Sequence, residues 1–203
     1  FAATDVQFAV AAVNTAIAGA FGSITAMLYI TRKTGKPDPG MMINGMLAGL
    51  VAITAACAFV APWAAAVIGV IAAILIIESV YFFERRGIDD PVCAISVHGV
   101  GGLFGTLSVG IFANGTYGAG WNGSSSEGVK GIIKGDWGQL GAQAVGAVTI
   151  VIVFGSRCAA DHRAVAVAVA IVAIVVVVVV VVVVARRTVA VIVRCAMAIV
   201  VVV

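Results

Sequence analysis

Charged side chains make up only 10% of the 203 residues, where a soluble domain carries about 25%. A chain this short leaves much of its surface facing water, and so few charges cannot build that surface. This excludes an ordinary soluble enzyme, a disordered chain and a nucleic-acid-binding domain. The net charge is only +3, and no basic patch stands outside short loops. Proline is scarce, four against 24 glycines, a balance that suits packed membrane helices. Cys57, Cys93, Cys158 and Cys195 form no CxxC pair and no metal-ligand spacing. They read as small apolar residues, and no metal site is expected. Ser-His-Asp, HExxH and phosphate-loop patterns are missing as well, so neither enzyme activity nor a cofactor is expected. No basic leader precedes the first apolar stretch, and the chain opens on Phe1 rather than Met. That argues against a signal peptide and for a fragment or a chain trimmed at its front.

What remains is apolar, 63% of the chain. A membrane helix needs about 20 such residues in a row, and five segments qualify. They run from about Val6 to Ile30, Met41 to Val60, Pro62 to Phe83, Val92 to Ala113 and Gly138 to Phe154. The expected fold class is all-α, a polytopic transmembrane helix bundle. Five spans alternate sides, so the first and third loops share one side. Those loops hold Arg32, Lys33, Lys36, Arg85 and Arg86. The positive-inside rule places loops 31–40 and 84–91 in the cytoplasm. The long loop 114–137 is then external, and its two Asn-Gly-Thr/Ser sequons, at Asn114 and Asn122, agree.

From about Ser156 the sequence changes character. Ala164 to Ala185 is almost pure Ala, Val and Ile, with unbroken Val from 175 to 184. A sixth span is the literal hydropathy reading, but it would leave Arg186 and Arg187 outside. The expectation is a domain over 1–155 and an aberrant low-complexity tail over 156–203, from a frame or sequencing fault. The tail holds five Arg and one Asp, so the first 155 residues carry −1.

Among residues able to carry chemistry, His98 is the one His inside these five spans. It stands eight residues after Asp90, about 12 Å along a helix, hence near mid-membrane. An ionisable group there faces a cavity or a partner, and His titrates near neutral pH. Either it lines a path and relays protons, or it is a neutral His bonded to a neighbouring helix. Asp89, Asp90 and Pro91 read as a helix start: Asp90 as N-cap, Pro91 as first helical residue. That places the carboxylates about two turns from His98. Glu78 is expected to reach the interface or pair with Arg85 or Arg86. Asn14, Thr15, Asn44 and Thr54 are expected to hydrogen-bond between helices. Gly45 with Gly49 and Gly101 with Gly105 have the small-xxx-small spacing that lets helix backbones approach.

Two long stretches then carry a resemblance. Asn44-Gly45-Met46-Leu47-Ala48-Gly49-Leu50-Val51-Ala52-Ile53-Thr54-Ala55-Ala56-Cys57 resembles the ammonium transporter (Amt/Mep/Rh) family. So does Asp89-Asp90-Pro91-Val92-Cys93-Ala94-Ile95-Ser96-Val97-His98-Gly99-Val100-Gly101-Gly102. The Lys36-Pro37-Asp38 turn and Val13-Asn14-Thr15 also look like that family, and the resemblance covers about residues 1–155. It implies an eleven-span fold of two inverted repeats, of which this chain looks like spans seven to eleven. It also implies homotrimers in a cell membrane, ammonium or ammonia as substrate, and His98 as the second of two pore-lining His. A PII-type signalling protein at the cytoplasmic loops is an implied partner. The first pore His and the external recruitment site belong to spans absent here. Position 93 is Cys where many members have Gly, and position 101 is Gly where many have Cys. Both exchanges are small for small, so the helix should survive. Two other readings stand beside transport: a receptor-like ammonium sensor and a non-functional gene fragment.

Overall fold

In the computed structural model, residues 6–118 and 127–158 are described, and every regular element among them is helical. Helix α1 spans Val6–Thr34, α2 Pro39–Ile53 and α3 Pro62–Arg85. A 3₁₀ turn, Pro91–Cys93, and a π-helical segment, Ile95–Val100, lead into α4, Gly101–Phe112. A second 3₁₀ turn, Ile132–Lys134, precedes α5, Trp137–Cys158. The aberrant tail expected over 156–203 and the sequon at Asn122 fall largely outside the described residues. Within the described residues α5 continues without a break to Cys158.

The starts of α2 and α5 have a local cause. Asp38 is extended and accepts from the N–H groups of Gly40 and Met41 at 2.8 and 3.2 Å, with Pro39 at the first helical position. Asp136 does the same for α5 through Gly138 and Gln139. Helix α3 ends where Gly87 turns left-handed at φ +67° and the Ile88 N–H reaches back to the Phe83 carbonyl at 3.0 Å.

Contacts at both ends order the helices. Near its start α1 meets the turn before α3, through Asn14 and the carbonyls of Cys57 and Val60. Near its end it meets the end of α3, through Tyr29, Lys33 and Glu78. So α1 and α3 run parallel and α2 runs back between them. The loops after α1 and α3 therefore share one end of the bundle. The turn at 54–60 and the loop at 114–131 share the other, where the Asn114 N–H donates to Phe59 O at 3.2 Å.

Among the described residues, three elements are long and apolar enough to cross a membrane: Gln7–Thr34, Pro62–Arg85 and Pro91–Phe112, while Pro39–Ile53 and Trp137–Val153 are shorter. The expectation of five full spans needs correcting at the second. Helix α2 stops at Ile53, and residues 54–60 are turns. Apolar composition extends the hydropathy run past the point where backbone hydrogen bonding changes. The carbonyls released there are taken from outside the helix: Asn14 Nδ2 donates to Cys57 O at 2.7 Å and to Val60 O at 2.8 Å.

Small residues set the packing distance. A Cβ on Gly49 or Gly69 would lie against the carbonyl of Ala18, so α2 and α3 both close onto one turn of α1. Gly45 faces Gly22 and Ala26 one turn along the same seam. Gly105 meets the backbone of Ala52, and Gly110 that of Leu140. Gly101 differs from the expectation: its nearest neighbours are side-chain tips, Ile76 Cδ1 at 3.5 Å and Val51 Cγ1 at 3.7 Å. The α2–α4 crossing lies at Gly105, and one turn earlier the helices have separated to side-chain distance. Among described residues, the interior is filled by Ile53, Val60, Ile68, Ile76 and Leu107.

The small-for-small expectation at position 93 also changes. Val92 and Cys93 both sit at φ +57°, a region that Gly adopts without penalty and that costs other residues about 1–2 kcal/mol. The fourth helix is broken there rather than continuous. Cys93→Ala and Cys93→Gly both lose the thiol, but only Gly relieves the strained backbone, so Cys93→Gly should melt above Cys93→Ala in detergent, by about 1 kcal/mol of stability. Gly49→Val should lower stability by about 1–3 kcal/mol through overpacking. Gly102→Ala, with nothing within 4 Å of its Cβ position, should stay close to wild type in the same melts.

Candidate functional site

The site is built around the break between α3 and α4. Asp90 does not cap the first turn with its side chain. Its Oδ1 accepts from the Ile95 N–H at 2.7 Å, and its Oδ2 from the Ser96 N–H at 3.0 Å and the Ser96 hydroxyl at 2.8 Å. Only the Asp90 backbone carbonyl serves the 3₁₀ turn, accepting from Cys93 N–H at 3.0 Å. Pro91 does open that turn. Residues 91–94 are thus looped past, and the carboxylate grips the start of the π segment that carries His98. Asp89 is exposed.

This corrects the distance read from the sequence. With Asp90 bonded at Ser96, His98 follows two residues later, less than one turn from the carboxylate rather than two. A uniform helical rise from Asp90 overestimates the separation because the intervening residues do not advance as a helix.

His98 lies in the π segment Ile95–Val100, where Ser96, Val97 and Val100 are buried and Ile95, His98 and Gly99 are exposed. It makes no hydrogen bond to a described residue. The buried side of the segment packs on α2 and α3, and the exposed side continues past Gly102, beside which lies open space. An imidazole is thereby presented on an otherwise apolar, uncovered face, on a segment that the half-buried Asp90 anchors. No group of three or more His, Cys, Asp or Glu that could hold a metal occurs among the described residues.

The remaining polar residues divide. Asn14 is fully buried and bonds across elements, to Cys57 O and Val60 O. Asn44 Nδ2 donates to Cys93 Sγ at 3.2 Å and so ties α2 to the break. Thr15 and Thr54 donate instead to the carbonyls of Ala11 and Leu50, four residues back in their own helix. A hydroxyl can reach that carbonyl without a neighbour, which a count of polar residues cannot foresee. Glu78 pairs with Lys33 and accepts from the Tyr29 hydroxyl at 2.6 Å, not from Arg85 or Arg86. The Arg86 guanidinium lies over the Phe82 ring at 5.0 Å instead. Sequence reasoning missed Lys33, Tyr29 and Tyr81 as a group. The signal was available: Tyr29 and Lys33 are four apart, Glu78 and Tyr81 three apart, so each pair shares a helix face.

Comparison with known proteins agrees with this architecture. A family model, Ammonium Transporter Family, matches residues 1–160. The chain is 44% identical over 146 residues to Ammonium transporter Amt2 of Archaeoglobus fulgidus, covering 72% of this chain and 31% of that protein. It is 34% identical over 143 residues to Ammonium transporter of Bacillus subtilis, covering 70% and 33%. Among solved structures it is similar to Candida albicans Mep2, with a TM-score of 0.66 and 32% identity over 72% of this chain and 32% of that one. A structure titled Sensor Amt Protein gives 0.60 and 39%, over 72% and 34%. The chain spans about a third of the length of the curated relatives it matches, and these relatives are named transporters rather than enzymes. With a family model covering most of its length and an all-helical bundle of the same shape, the chain belongs to the ammonium transporter family.

Proposed function

We propose that this chain forms part of a membrane transporter for ammonium or ammonia, and that His98 lines its conducting path. The observation that carries the reading is the position of His98: exposed on an apolar face, without a described hydrogen-bond partner, on a segment anchored by Asp90. A chain that spans about a third of its relatives supplies one wall of such a path, and the facing wall comes from the rest of the protein.

The physical logic is independent of the relatives' names. An ammonium ion in an apolar passage loses hydration that nothing there replaces. Giving up its proton lets the neutral molecule cross, and an imidazole, with one ring nitrogen that accepts and one that donates, is a suitable proton carrier. No bond other than N–H is made or broken, so the protein acts as a transporter without converting its substrate. The loops 31–40 and 84–91 are taken as cytoplasmic and 114–137 as external, in a cell membrane. The working assembly is a homotrimer, with the cytoplasmic loops open to a PII-type signalling protein. The similarity to a structure titled Sensor Amt Protein supports a second reading, an ammonium sensor built on the same bundle. A transport assay separates the two.

In the full-length protein reconstituted in liposomes, His98→Ala should slow ammonium-dependent flux at least about tenfold, about 1.4 kcal/mol on the barrier, or admit potassium. Unchanged rate and selectivity would show that His98 is not in the path. Asp90→Ala orphans two N–H groups and a hydroxyl, at a cost of about 1–3 kcal/mol. It should lower both the melting midpoint and the flux, because the segment carrying His98 loses its anchor. A variant that melts earlier yet transports at the wild-type rate would separate the anchor from the path.

A further inference from the structure

A second set of groups meets between α1 and α3, at the end of the bundle where the loops 31–40 and 84–91 lie. Four side chains converge from two parallel helices: Tyr29 and Lys33 on α1, Glu78 and Tyr81 on α3. The Lys33 ammonium pairs with Glu78 Oε1, the same oxygen that accepts from the Tyr29 hydroxyl. It also stands 4.2 Å from the Tyr81 ring centroid and 5.7 Å from that of Tyr29. Both distances lie within the range over which an aromatic face attracts a cation. A carboxylate and two phenol rings thus surround one primary ammonium group.

We propose that Glu78, Tyr29 and Tyr81 form a binding site for ammonium ions, and that Lys33 is its tethered occupant. The chemistry of the occupant defines the ligand. An alkylammonium head offers three N–H donors, and free ammonium offers the same charge and four such donors at nearly the same size. Lys33 is able to leave. Its side chain is 31% exposed and that of Glu78 49%, and Lys33 is the penultimate residue of α1. A short tether gives Lys33 an effective concentration on the order of millimolar, so free ammonium competes only when it accumulates to that range. Displacing Lys33 removes one of the two side-chain links from α1 to Glu78, leaving that of Tyr29. On the orientation proposed above, this end faces the cytoplasm, so the site would report imported ammonium. That last assignment rests on the proposed topology, whereas the binding site does not rest on transport.

The test uses the full-length protein in detergent and reads the unfolding midpoint, which needs neither transport nor a defined orientation. Ammonium chloride is titrated against potassium and sodium chloride at equal ionic strength. The proteins are wild type, Lys33→Ala and the double variant Lys33→Ala/Glu78→Gln. Binding in the conducting path is common to all three and cancels in the comparison. The expected result is a saturable, ammonium-specific rise in midpoint for Lys33→Ala. It should require about tenfold more ammonium in wild type, where the tether competes, and be lost in the double variant. An equal rise with potassium or sodium, or an equal rise in the double variant, overturns the proposal. Should Lys33→Ala not fold, Lys33→Gln against Lys33→Gln/Glu78→Gln reads the same difference with the side-chain stem retained.

Discussion

Every interruption of helix in this bundle has to find new partners for the backbone groups it releases. In hydrocarbon there is no water to supply them, and each unmet group costs several kcal/mol. Two side chains answer that demand. Asn14 reaches from α1 to the carbonyls of Cys57 and Val60, where α2 has ended and α3 has not begun. Asp90 reaches past the 3₁₀ turn to the N–H groups of Ile95 and Ser96. The two are complementary in chemistry: an amide donates to orphan carbonyls, and a carboxylate accepts from orphan N–H groups. With both breaks served, α2 can be shorter than its hydropathy run and α4 can begin with a π segment.

The breaks in turn place the seams. Stopping α2 at Ile53 lets the chain turn tightly into α3, so that α1, α2 and α3 share the contact at Ala18, Gly49 and Gly69. Dispersion between closely approaching backbones is the force available in lipid, and it needs glycine wherever a carbonyl sits opposite. The same seam fixes the relative height of α1 and α3. That height brings Asn14 level with Val60 at one end and Lys33 level with Glu78 at the other. The same geometry sets where His98 stands. With its buried side packed on α2 and α3, the π segment has only its other side on which to carry His98.

Helical content, the loops and most of the helix starts were legible in the sequence, because they rest on local causes. Pro62 opens α3 as expected, and Asp38 with Pro39 starts α2 two residues before the expected Met41. Gly49 and Gly105 were legible as packing positions by spacing, whereas Gly101 has the same spacing without the close approach. Gly22 and Gly69 were not legible, since what makes them matter is a carbonyl from another helix. His98 stood out for its chemistry alone, while its exposure and its anchor did not. The two-turn separation assumed between Asp90 and His98 failed because hydropathy is continuous across Pro91–Val100, whereas hydrogen bonding is not.

By itself the sequence determined the environment and the menu. Charge on only 10% of residues and long apolar runs call for a helical membrane bundle, and two long motifs announce the family. Tertiary structure decided the partners. It decided that Asn14 would serve the turn at 54–60, that Asp90 would hold Ser96, and that Glu78 would take Lys33 rather than a neighbouring arginine. For Asn14 and Glu78 the reason is range: caps, turns and periodicity act over a few residues, but these partners stand 43 to 46 positions apart, and only the packed heights of α1 and α3 bring them level. Asp90 and Ser96 are six positions apart, and there the break in the helix decides which backbone groups the carboxylate meets.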